Sequence, residues 1–143
     1  MSMMALMVAG FIELATGPAK PIVCDFRPDT PGAVALSVRM TPVPSLKDRR
    51  ELWRVKMELR APEVPTPMRV RAAARPIADT EARDVLIRGE TRSRTRFTVG
   101  LRDDGVAALS IFRPATADRA ETQETRVGHC QNFETHMGRW LTS

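Results

Sequence analysis

A chain of 143 residues with 43% hydrophobic and 27% charged residues has the size and composition of one globular domain, which excludes a disordered or fibrous protein. The 22 Lys+Arg exceed the 17 Asp+Glu and leave a net charge of +5, and all the cations but Lys20, Lys47 and Lys56 are arginine. Arginine grips carboxylates and phosphates with a planar fork, which suits an anionic partner, although a GC-rich genome gives the same bias and the two signs are interspersed.

The N-terminus reads MSMMALMVAGFIELATGPAKPIVC. An apolar run from Met3 to Ile12, followed by small residues up to Ala19, has the layout of a secretory signal cleaved after Ala19, and the run is too short to anchor in a bilayer. Residues 1–19 are therefore expected to be a signal and residues 20–143 a single β domain, with no transmembrane span in the mature chain. Two features run against this: no Lys or Arg precedes the run, and Glu13 sits at its end. A start codon assigned too far downstream would explain the first. The competing reading is a buried first strand or helix.

The cysteines bear on the same question. Only Cys24 and Cys130 are present, and an even count behind a signal implies one disulfide, here tying the first strand of the domain to the last. In the chain-entropy argument so long a loop stabilises by up to about 4–5 kcal/mol. Two buried thiols in a cytosolic protein are the alternative. Together the signal and the cysteines predict a periplasmic or secreted protein.

Further along, AVALSVRM places Val34, Leu36, Val38 and Met40 on one face of a strand. In ELWRVKMELR, Trp53, Val55, Met57 and Leu59 alternate with Arg54, Lys56, Glu58 and Arg60, a two-residue repeat with one dry and one wet face. PMRVRAAAR repeats it, with Met68, Val70, Ala72 and Ala74 inward and Arg69, Arg71 and Arg75 outward. RPDTPG, TPVPS and APEVPTP, being proline-rich, are expected to be connections outside the strands. An antiparallel meander follows.

DTEARDVLIRGE fits either a helix capped by Asp79 and stopped by Gly89 or a strand over 84–90. The strand is preferred, because the polar TRSR can then turn the chain into the next hairpin. That hairpin is FTVGLRDDGVAALSIF. A three-residue Asp103-Asp104-Gly105 loop pairs Leu101 with Ala107, Val99 with Leu109 and Phe97 with Ile111, which keeps one face dry and puts Gly105 at the left-handed position of the turn. Arg96 then faces outward beside Phe112, where it can stack on the ring, and Arg92 and Arg94 fall in a polar tip. Behind Asn132, read as an N-cap, Phe133, Met137, Trp140 and Leu141 form the apolar stripe of a short helix, weakened by Gly138, over one end of the sheet.

These elements predict an all-β protein: a single antiparallel β-sandwich or partly closed barrel of about six or seven strands with a short C-terminal helix. No nucleophile elbow, phosphate loop or dinucleotide fingerprint is present. The only histidines, His129 and His136, flank a cysteine assigned to the disulfide. Asp103 and Asp104 are explained by turn chemistry. His129, Cys130, His136 and Cys24 match no standard zinc spacing. Met40, Met57 and Met68 occupy inward positions suited to core packing rather than Cu(I).

MELRAPEVPTPMRVRAAARPI resembles strand-loop-strand stretches of small exported immunoglobulin-like proteins. FTVGLRDDGVAALSIF, followed by RVGHC and a closing RWL, is similar to uncharacterised small periplasmic β-sheet proteins of Gram-negative bacteria. The resemblance implies an exported β domain with one disulfide and no assigned activity.

The expectation is therefore an exported non-catalytic binding or accessory protein without cofactor or bound metal. Its contact surface would combine Arg69 and Arg71 with Arg92, Arg94 and Arg96, if their strands are neighbours, and would face an envelope protein or an anionic surface. The plain alternative is that these arginines are the solvated face of a sheet. Nucleic acid is disfavoured, because seven aromatic residues with no tyrosine supply few platforms for base stacking. The rival classes are a small hydrolase-type enzyme with dispersed active-site residues and a periplasmic copper or zinc carrier.

Overall fold

Strands that alternate apolar and polar residues must each hide one face, and a sheet hides all of them at once by curling on itself. In the computed structural model, which describes residues 20–27, 35–47, 53–62, 64–77 and 84–142, eight strands do this. They are β1 (Ile22–Phe26), β2 (Leu36–Lys47), β3 (Trp53–Arg60), β4 (Met68–Pro76), β5 (Val85–Glu90), β6 (Arg96–Leu101), β7 (Val106–Arg113) and β8 (Thr122–Gln131), followed by the helix α1 (Glu134–Thr142). Each strand pairs antiparallel with the next, and β8 pairs with β1, so the sheet is a closed barrel. The expected signal at 1–19, Val34 and residues 79–83 lie outside the described residues.

The all-β class and the terminal helix are as expected. The strand count of six or seven and the sandwiched or partly closed arrangement are corrected to eight strands and full closure. The count falls short in the sequence because β1 has only five residues and β8, TQETRVGHCQ, shows no apolar alternation. Its inward positions are Glu124, Arg126, Gly128 and Cys130, as their pairing with Ile111, Leu109 and Ala107 of β7 and Cys24 of β1 shows.

An eight-stranded barrel is just wide enough for side chains to fill. Phe26, Met40, Met57, Ile87, Val99 and Leu109 are each at most 1% exposed in the lumen. The outer face of β3, β4 and β5 is charged, the reverse of a lipid-facing surface; among the described residues no helix is long and apolar enough to cross a membrane.

The helix plugs the end at which β8 finishes and packs against β4 and β5. Trp140 is 1% exposed there, with Met137 and Phe133 buried beside it, and the His136 ring, stacked 6.0 Å from Trp140, donates from Nε2 to the Lys20 carbonyl at 2.7 Å. Asn132 is not the cap. It has φ 62°, in the left-handed region that asparagine tolerates better than most residues, and the first helical bond runs from Met137 N to the Phe133 carbonyl, so the cap position falls to Phe133.

The hairpin register is as expected, with Leu101↔Ala107, Val99↔Leu109 and Phe97↔Ile111 paired across β6 and β7. Gly105 has φ 91°, and a Cβ there would also lie 2.7 Å from Phe133 Cε1. Of the ambiguous stretch, the described part is a strand, β5, over Val85–Glu90.

Two readings are corrected. TPVPS is not a connection: Thr41 to Ser45 lie inside β2, with a register shift between Pro42 and Lys47. Proline is accommodated because β1 pairs with β2 only as far as Met40, so the β1-facing side beyond it needs no N–H donor. Met68 has inward parity but is 50% exposed, because it opens β4 at the end away from α1, above the filled part of the lumen.

The disulfide joins Cys24 to Cys130. These two are direct partners in the β1–β8 ladder, so the bond sits on the seam where the barrel closes. Beside it, Gly128 lets the strands approach, since a Cβ there would run into the Asp25 carbonyl oxygen.

Candidate functional site

Consecutive antiparallel strands put their wet faces side by side, so the outer wall of β3, β4 and β5 gathers the polar residues of three neighbouring stretches. It presents Arg54, Lys56 and Arg60 from β3, Arg69, Arg71 and Arg75 from β4, and Arg88 from β5, all exposed. Against these seven cations stand two carboxylates, Glu58 and Glu90. Directly paired residues in an antiparallel sheet share a face, so the wall can be read row by row.

Toward the open end one row runs Arg39–Glu58–Arg69 across β2, β3 and β4 and is partly neutralised, with Glu58 also taking Arg60 Nη2 at 3.1 Å. The next row, Thr41–Lys56–Arg71, opposes two cations directly, an arrangement that costs up to about 1 kcal/mol. The third, Arg54–Ala73–Arg88, sets two arginines on either side of an alanine. Arg54, Lys56, Arg71 and Arg88 border one concavity of about 820 Å³, floored by Ala72, Ala73 and Gly89 with Glu90 at its edge. Among the described residues none of the four cations has a carboxylate within ion-pair distance.

The expected surface is regrouped. Arg69 and Arg71 belong to this wall. Arg96 does not adjoin them, because β5 lies between β4 and β6, and Glu90, the direct partner of Arg96, fills the gap. Arg96 lies 5.6 Å over the Phe112 ring, a contact worth about 0.5–1 kcal/mol at an exposed position. Arg92 and Arg94 occupy the exposed turn between β5 and β6, where Thr91 N donates to the Thr95 carbonyl and Arg94 N to the Thr91 carbonyl. Arg94 takes φ 66°, the left-handed position closing that turn.

The wall's other members, Arg54, Lys56 and Arg88, stood in the sequence at wet-face positions. Strand adjacency in a meander is the signal that joins them to β4. No such signal exists for the cluster at the open end. Here β8 turns Glu124 and Arg126 inward, Arg126 Nε donates to Glu124 Oε1 at 2.5 Å, and Arg113 Nη1 lies 3.9 Å from Glu124 Oε2. Arg126 is only 11% exposed. This is a shielded ion pair over the apolar lumen, invisible to a search for alternation.

His129 is exposed on β8 and pairs with Asp25 and Val106, whereas His136 is buried in α1. Both sulfurs are consumed by the disulfide. Among the described residues no group of three or more His, Cys, Asp and Glu surrounds a common point.

What the fold and this surface define is a closed, up-and-down, eight-stranded barrel with a helical plug and one basic outer wall. No protein-family model, curated protein or solved structure matches the chain.

Proposed function

We propose that the protein is an exported, non-catalytic binding or accessory protein that holds an anionic partner against the β3–β5 wall. The observation that carries this reading is the accumulation of seven exposed cations against two carboxylates on three adjacent strands. Spread over the whole surface, a net charge of +5 would be unremarkable; gathered on one rigid face, it forms a fixed array whose ordering cost is met during folding rather than at binding. The outward positions of these strands carry no aromatic ring, so recognition runs through charge and guanidinium forks rather than base stacking. The disulfide supports a periplasmic or secreted destination, because such bonds persist in oxidising compartments.

The test is retention of partners from an envelope fraction by three immobilised proteins: the parent, Arg54→Glu/Arg71→Glu/Arg88→Glu, and Arg92→Glu/Arg102→Glu/Arg119→Glu. The two variants carry the same change in charge. The first is expected to lose at least about tenfold in retention at physiological salt, while the second follows the parent. Equal behaviour of the two variants would remove the wall from the mechanism.

A further inference from the structure

We infer that the hollow over Ala73 is a binding site for a tetrahedral oxyanion, in particular the phosphoryl group of a soluble phosphate compound. This rests on the reading of the β3–β5 wall as the binding face and names the ligand chemistry of its centre. Arg54 and Arg88 flank Ala73 in one cross-strand row, two strand spacings apart, or about 9.5 Å along the sheet. Arginine side chains can lean inward from both sides over that gap. The intervening residue is a methyl group, so nothing of size stands between them. Lys56 and Arg71 close the hollow from the adjoining row, without a carboxylate between them.

The number and placement of these cations select the ligand. A carboxylate offers two oxygens in one plane and is satisfied by a single guanidinium fork. Four cations approaching from two rows and both flanks require an anion with three or more oxygens directed outward in space, which a phosphoryl group supplies. Glu90 at the edge is the cross-strand partner of Arg96, and four cations still outnumber it in the hollow. The wall is the convex outside of a barrel, and a flat bilayer would touch it along a narrow line and reach few of these groups together. A free phosphate compound can enter from above.

The experiment titrates the full chain with inorganic pyrophosphate at constant ionic strength and follows the Ala73 methyl and the arginine side chains by NMR. Three further proteins are titrated in parallel: Arg54→Gln/Arg88→Gln, Ala73→Leu, and Arg119→Gln as an exposed control off the wall. Saturable shifts centred on Ala73 are expected for the parent and Arg119→Gln. At least tenfold weaker binding is expected for Arg54→Gln/Arg88→Gln and for Ala73→Leu, which fills the hollow without altering charge. Citrate is expected to bind less tightly than pyrophosphate. Equal binding by Ala73→Leu and the parent would overturn the site, since bulk attraction would then account for everything. Binding only to phosphatidylglycerol vesicles, with none to pyrophosphate, would overturn it too. A failure here alongside wall-dependent partner retention would refute the oxyanion hollow and leave the wall standing; loss of both would refute the two together.

Discussion

Replacing Cys24 and Cys130 together by alanine tests how the barrel is held shut. The two cysteines are 106 positions apart, so the bond closes nearly the whole domain into one loop. For a loop of about 107 residues the chain-entropy relation gives about 16 cal/mol/K, or about 4.8 kcal/mol at 25 °C. The described span, residues 20–142, is about 123 residues and unfolds with an entropy near 0.26 kcal/mol/K, so the melting temperature should fall by about 18 °C. Scanning calorimetry of the parent and the double variant measures this directly. Amide exchange supplies the local signature: Val23 and Asp25 on β1 and His129 and Gln131 on β8 lie along the seam and should lose more protection than the amides of β3 and β4. A fall of less than about 5 °C, with exchange unchanged at the seam, would show that strand pairing alone closes the barrel and that the unfolded chain already keeps its ends together.

Gly105→Ala meets both an unfavourable φ of 91° and a Cβ contact 2.7 Å from Phe133 Cε1, and should cost about 2 kcal/mol or more in urea unfolding. Gly100→Ala, with open space around its Cβ, should stay within about 0.5 kcal/mol, and equal costs would refute the turn argument. Trp140→Ala removes the largest side chain of the plug, itself 1% exposed, and should cost about 3–5 kcal/mol. A loss below about 1 kcal/mol by the same measurement would mean that α1 merely rests on the barrel end.

The parts of the fold legible in the sequence are those where one local rule acts alone. Alternation placed the faces of β3 and β4, and the competition between two loop lengths fixed the β6–β7 register and, through it, the stacking of Arg96 on Phe112. The rest depends on neighbours far along the chain. Pro42 can lie in β2 only because β1 stops short of it. Met68 is exposed because of its height in the barrel rather than its parity. The inward Glu124 and Arg126 defeat a pattern search because they occupy core-side positions with charges. The basic wall is half legible: its arginines stand at wet-face positions, but joining Arg69 and Arg71 to Arg92, Arg94 and Arg96 depends on their strands being neighbours, and the sheet order sets β4 between β3 and β5 instead.

The seam also sets an order in time. Seven of the eight strand pairings join consecutive strands and can form as the chain lengthens. The eighth pairs residues 23–26 with residues 128–131, so the first strand to be synthesised must wait for the last. Until then β1 and the growing end are both open edges. The barrel therefore cannot close while residues 128–131 are still enclosed in a ribosome. Until those four residues are free to pair, seven pairings can stand while the sheet remains an open ribbon, and the last pairing locks it.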